Sequence, residues 1–139
     1  MDIPFLTEAV PWLTTEQMIE VDRAMMEDYR IDLARMMENA GRNLAHLARA
    51  RFLGGDPRGK RVVVLAGTGG NGGGALVAAR RLHNDGAQVQ VFVTRPDADF
   101  ARVPGEQLDI LRRMGLPVGR AEDISRVEQP DLVLDGVIG

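Results

Sequence analysis

Six of the eight residues from Gly67 to Gly74 are glycine, with only Thr68 and Asn71 between them. Glycine in such density surrenders chain entropy that the fold must recover elsewhere. The run follows "RVVVLA", a short apolar stretch that reads as a strand buried on both faces. It precedes a helix expected from about Gly73 to Asp85, with Leu76, Ala79 and Leu82 inward and Gly86 as its stop. A strand handing over to a helix through nearly bare backbone points to an open α/β sheet.

The remaining segments fit that class. Thr14 followed three residues later by Gln17 is a capping-box pattern, and Met18, Val21, Met25 and Met26 then share one helical face. Asp32 is placed to N-cap a second helix, with Leu33, Met36, Met37, Ala40, Leu44 and Leu47 as its apolar stripe. The methionines of both stripes read as core filler, and both helices are expected on one sheet face. Further on come a strand from about Gln88 to Thr94 and a helix with Pro104 near its start and Gly115 at its end. A short strand in "LPVGR" and a fourth in "DLVLDGVIG" follow. Right-handed crossovers then give a parallel sheet of order 3-2-1-4.

Composition narrows the function. A net charge near −3 offers no case for nucleic acid, and the absence of cysteine excludes disulfides and thiolate metal sites. No apolar run approaches the roughly 18 residues of a membrane span, and the opening residues lack the pattern of a secretory signal. A cytoplasmic location is the default expectation.

Ligands of open α/β sheets bind where the strand order reverses, here between the first and fourth strands. The Gly67–Gly74 loop and the Asp135–Gly139 segment are therefore expected to face each other across one crevice. A helix N-terminus on one side favours phosphate, while Asn71 and Asp135 offer the oxygen ligands that hard cations take. Two plainer readings stand beside this one. The glycines could serve only close packing of helix on strand, and Asp135 could simply cap a turn. Gly67, Gly69 and Gly72 also spell the dinucleotide fingerprint G-x-G-x-x-G. The acidic residue expected after the second strand is missing, so only an NADP-dependent oxidoreductase with Arg95 on a 2′-phosphate fits that pattern. No lysine follows the loop, which argues against an NTPase. His46, His83, Arg80 and Arg81 read as helix-surface residues.

"MMENAGRNLA", "GTGGNGGGALVAARRL" and "DLVLDGVIG", in that order and spacing, resemble the NAD(P)H-hydrate epimerases, the YjeF N-terminal domain family. The resemblance covers the chain from about Thr14 to its end. It implies a three-layer α/β/α sandwich of Rossmann-like type and interconversion of the R and S forms of hydrated NADH and NADPH. It further implies a bound potassium ion, a homodimer, and a functional link to a dehydratase that restores the cofactor. By resemblance, Gly70, Asn71, Gly72, Gly73, Gly74 and Gly139 line the substrate site, Asn71 and Asp135 are potassium ligands, and Asp135 takes part in proton transfer. "MENAG" suggests that Asn39 holds the glycine loop, against plain solvent exposure. The family loop commonly reads N-N-G-G-D, so Gly70 and Gly74 here replace an amide and a carboxylate with hydrogen. The same fold also occurs as a non-catalytic nucleotide-binding or interaction module. Residues 1–139 are expected to form one such domain, cut short before further strands of the sheet, since "DLVLDGVIG" has the composition of a central strand yet lies at an edge.

Overall fold

The computed structural model describes residues 7–138. Strands β1 (Arg61–Ala66), β2 (Gln88–Val93), β3 (Val118–Arg120) and β4 (Leu132–Gly136) form one sheet in the order β3-β2-β1-β4, every neighbouring pair parallel. This is the expected class and strand order. Helices α1 (Thr15–Glu27), α2 (Leu33–Leu47), α3 (Gly70–Asn84) and α4 (Arg102–Arg113) complete the regular structure. Right-handed crossovers put α3 and α4 on the same face, where Val64, Val91, Leu76, Leu82, Leu108 and Leu111 make a closed core. The connection from β3 to β4 runs the other way and carries the 3₁₀ segment Ala121–Arg126 against β2 and β3.

Local signals set the boundaries. Thr14 and Gln17 exchange both bonds of the capping box, and Asp32 accepts from the Arg35 amide at 2.9 Å. Helix α2 ends in a five-residue π turn, Ala48–Phe52, before glycines with positive φ at positions 54, 55 and 59 reverse the chain. The start of β4 is pinned to β1 by Asp131, whose carboxylate accepts from the Arg61 amide at 2.8 Å.

Three expectations are corrected. Helix α3 starts at Gly70 rather than near Gly73, so the last five residues of the glycine run are already helical. Burial of that helix outweighs the roughly 1 kcal/mol that each interior glycine costs relative to alanine. Helix α2 packs on α3 rather than directly on the sheet, through Met37, Gly41 and Ala45; Leu33 and Leu47 of the expected stripe are exposed. The small residues win because they let the two helix backbones approach. Helix α1 buries no residue, and Met18, Val21 and Met26 are exposed, so only Met37 among the stripe methionines is buried core.

Arg80 and Arg81 are not free surface residues either. Both donate to Glu38 of α2, Arg81 at 2.9 Å, with Arg80 the less exposed partner. One carboxylate therefore neutralises two adjacent guanidinium groups across the α2–α3 seam. Glu38→Ala leaves both cations half-buried beside each other. It should lower unfolding free energy by about 1–2 kcal/mol, between exposed and buried pairs, read as a drop in denaturation midpoint at unchanged m-value.

Candidate functional site

The first and fourth strands end side by side, with Leu65 opposite Asp135 and Ala66 opposite Gly136. From there β1 turns into the glycine run and β4 into the segment 136–138. The two are laced together: the Gly67 amide donates to the Gly136 carbonyl at 3.0 Å, and the Asn71 side-chain amide donates to the Ile138 carbonyl at 2.7 Å. Asp135 holds the same turn from within, accepting from the Val137 amide at 2.9 Å. The two residues expected to share a site thus converge on one short segment. Asn71 and Asp135 are both exposed, and neither Asn71 Oδ1 nor Asp135 Oδ2 receives a hydrogen bond from the described residues.

Glycine is demanded here by protein packing at several positions. A Cβ on Gly72 would collide with the Gly67 carbonyl, its carbon only 2.7 Å away. On Gly73 it would strike Met37, with Cε at 2.6 Å, and on Gly136 it would meet Ala75 Cβ at 2.7 Å and the Asn71 carbonyl oxygen at 2.8 Å. None of the glycines from 67 to 74 has a positive φ, so close approach rather than backbone twist is the reason for them. The plainer reading of the run therefore accounts for much of it. Gly70 and Gly74 are different: nothing lies within 4 Å of a Cβ built on either. These are the two positions where the resembled loop carries side chains.

The helix that begins here is left uncapped. Gly69 is its N-cap and offers no side chain, so the amides of Gly70 and Asn71, both on exposed residues, keep the donor capacity of a first helical turn. Such a terminus suits an anion. Gly72, Gly73 and Gly74 are buried, and Gly72 and Gly73 turn their Cα faces toward protein. Gly139 lies outside the described residues.

The β2–α4 connection borders the same rim. The Ala101 amide donates to the Thr68 carbonyl at 3.3 Å, and Asp97 accepts from Arg112 at 2.6 and 2.8 Å, which holds that guanidinium above its ordinary pKa. Arg95 is exposed at the end of β2. Asn39 does not reach the glycine run; it is exposed and accepts from Arg42 at 2.7 Å. Its neighbour Glu38 turned inward instead, and only the adjacent arginine pair in the sequence hinted at that.

Comparison with known proteins agrees with this fold. The family described as YjeF-related protein N-terminus matches residues 33–139. The chain is 43% identical over 134 residues to the NAD(P)H-hydrate epimerase of Dehalogenimonas lykanthroporepellens, covering 95% of this chain and 53% of that protein. It is 33% identical to the bifunctional NAD(P)H-hydrate repair enzyme Nnr of Salinibacter ruber, covering 93% of this chain and 26% of the relative. The crystal structure of the yeast protein YNL200c superposes with a TM-score of 0.75 at 26% identity, over 94% of this chain and 57% of that one. The chain spans about half the length of the Dehalogenimonas relative.

The packing difference between the glycines is directly measurable. Gly72→Ala forces backbone apart and should cost at least about 1–3 kcal/mol, whereas Gly74→Ala should be neutral or stabilise by up to about 1 kcal/mol. Urea unfolding of the two variants checks the contrast.

Proposed function

Since the chain belongs to the YjeF-related N-terminal family, we propose that it carries the substrate site of an epimerase that interconverts the R and S forms of hydrated NADH and NADPH. The observation that carries this reading is the meeting of Asn71 and Asp135 on the turn that follows β4, beside an uncapped helix start. The names of the Dehalogenimonas and Salinibacter relatives supply the substrate class.

In this reading the substrate's pyrophosphate lies against the Gly70 and Asn71 amides, where a ligand's charge replaces the missing cap. The nicotinamide end then reaches the Asp135 side of the mouth. Epimerisation proceeds by breaking the C6–oxygen bond: the hydroxyl leaves as water after taking a proton, and the ring keeps a delocalised positive charge. Water returns to the opposite face and loses a proton as the new bond forms. Asp135, exposed and with one oxygen uncommitted, is the group we assign to accept that proton.

Asn71 Oδ1 and Asp135 Oδ1, which keeps a lone pair beside its bond from the Val137 amide, are the oxygen donors a hard monovalent cation takes and would hold potassium, leaving Asp135 Oδ2 for the proton. When bound, that ion supplies positive charge beside the phosphates. A dehydratase consuming one epimer in the cytoplasm is the expected functional partner, and the bifunctional name of the Salinibacter relative supports the pairing.

A homodimer through α1 completes the proposal. That helix buries nothing of its own, and Trp12 is 80% exposed and Ile19 64% exposed. A helix of 13 residues without a packed face is marginal in water. Light scattering should give the mass of two chains, and Ile19→Asp should return it to one; a wild-type monomer ends this part of the proposal.

One specific feature favours a second reading, a non-catalytic module of the same fold: Gly74 supplies no carboxylate at the mouth. Catalysis decides between them. With a mixture of hydrated NADPH epimers, ATP and a dehydratase specific for one, the protein should speed consumption of the other. No acceleration over the dehydratase alone sinks the epimerase reading. Asp135→Asn should slow the reaction about 100-fold or more, and Asn71→Asp should change the potassium concentration giving half-maximal rate. Potassium dependence unaltered in both variants removes the ion assignment.

A further inference from the structure

A second polar site lies far from the mouth, in the groove between the later turns of α2 and α3. It has a volume of about 630 Å³, within the range of small-molecule sites. Arg42 and His46 line it from α2, four residues apart on one face, and Arg49 lines it from the π turn that follows. Arg81 and Asn84 line it from α3, and Asp85 from that helix's C-cap. Ten residues of helix separate Asn71 from Arg81, roughly 15 Å of rise, so groove and crevice are distinct places.

Charge in the groove runs against the chain as a whole. Of the three arginines that line it, Arg81 is already held by Glu38, which leaves Arg42 and Arg49 facing Asp85 on a protein whose net charge is −3. Asp85 takes only a long contact with Arg49, 3.4 Å, between two well-exposed side chains. Arg42 makes no ion pair among the described residues and donates only to the neutral Asn39. The Nε2 atom of His46 and the Nε of Arg81 are buried without any hydrogen-bond partner there. An orphaned buried polar atom is costly, and turning the His46 ring into the groove toward an acceptor relieves it.

From this arrangement we infer that the α2–α3 groove binds a phosphorylated small molecule, separately from the crevice at the mouth of the sheet. Planar guanidinium groups arriving from two helices match phosphate oxygens in pairs, which a lone lysine-like charge does not. Basic side chains also complement helix C-termini without any ligand. That role suits Arg49 and Arg81, but not Arg42, which sits in the middle of α2.

Inorganic pyrophosphate is the probe. In titrations followed by nitrogen-15 NMR, signals of Arg42, His46, Arg49 and Asn84 should move together and saturate. Arg42→Ala should weaken that binding about tenfold or more, and Arg42→Lys should restore part of it. The variants are read for fold by their unperturbed core signals. Shifts confined to Gly70 and Asn71, or equal shifts with sodium chloride at the same ionic strength, overturn the site. Equally tight binding of citrate overturns the assignment to phosphate.

Discussion

Everything at the mouth of the sheet depends on how near the start of α3 comes to other backbone. Gly67 touches the segment after β4, Gly72 touches Gly67, Gly73 touches Met37 of α2, and Gly136 touches Ala75 and Asn71. At each point a methyl group would push two elements apart. With the glycines, a helix, two strand ends and a second helix meet closely, with only the Met37 and Val77 side chains at the helix–helix contact. The helix start then stands beside the turn after β4, with its first amides uncapped and with Asn71 and Asp135 both bonded to that turn. Removing water from so many peptide groups is tolerable because they bond to each other, as Gly67 does to Gly136.

Electrostatics works around that contact in a supporting role. The exposed pairs on α1 and α4, such as Arg23 with Glu20 and Arg113 with Asp109, are solvated and contribute little. The Glu38 contact with Arg80 and Arg81 is more sheltered, and it ties together the same two helices that Gly41 and Gly73 bring close. Steric fit and charge thus act on one seam. The Asp97–Arg112 pair ties the connection that borders the rim to α4, but between two well-exposed side chains.

Much of this was legible in the residues. The apolar run of β1, the alternation in β2 and the glycines after α2, α3 and α4 specify the class and, with right-handed crossovers, the strand order. Asn71 and Asp135 could be placed together because topology alone carries the end of β1 to the end of β4. What escaped the sequence was decided by tertiary contact. Glycine's poor propensity argued for a loop up to about Gly73, yet packing made those residues helical. Hydropathy favoured Leu33 and Leu47 for the α2 seam, where Gly41 and Ala45 in fact lie, because backbone proximity and not apolar bulk set that interface. Glu38 and Asn39 are adjacent and similarly polar, and only the position of Arg80 and Arg81 on α3 determines which one turns inward.

The unobstructed hydrogens of Gly70 and Gly74 carry a consequence for how such a protein can change. Gly72 and Gly73 are frozen by their neighbours, so variation there is tried at the expense of the whole architecture. Positions 70 and 74 are decoupled from that risk. Side chains can be gained or lost at these two positions while the scaffold stays the same, which makes them the natural places for a protein of this fold to vary.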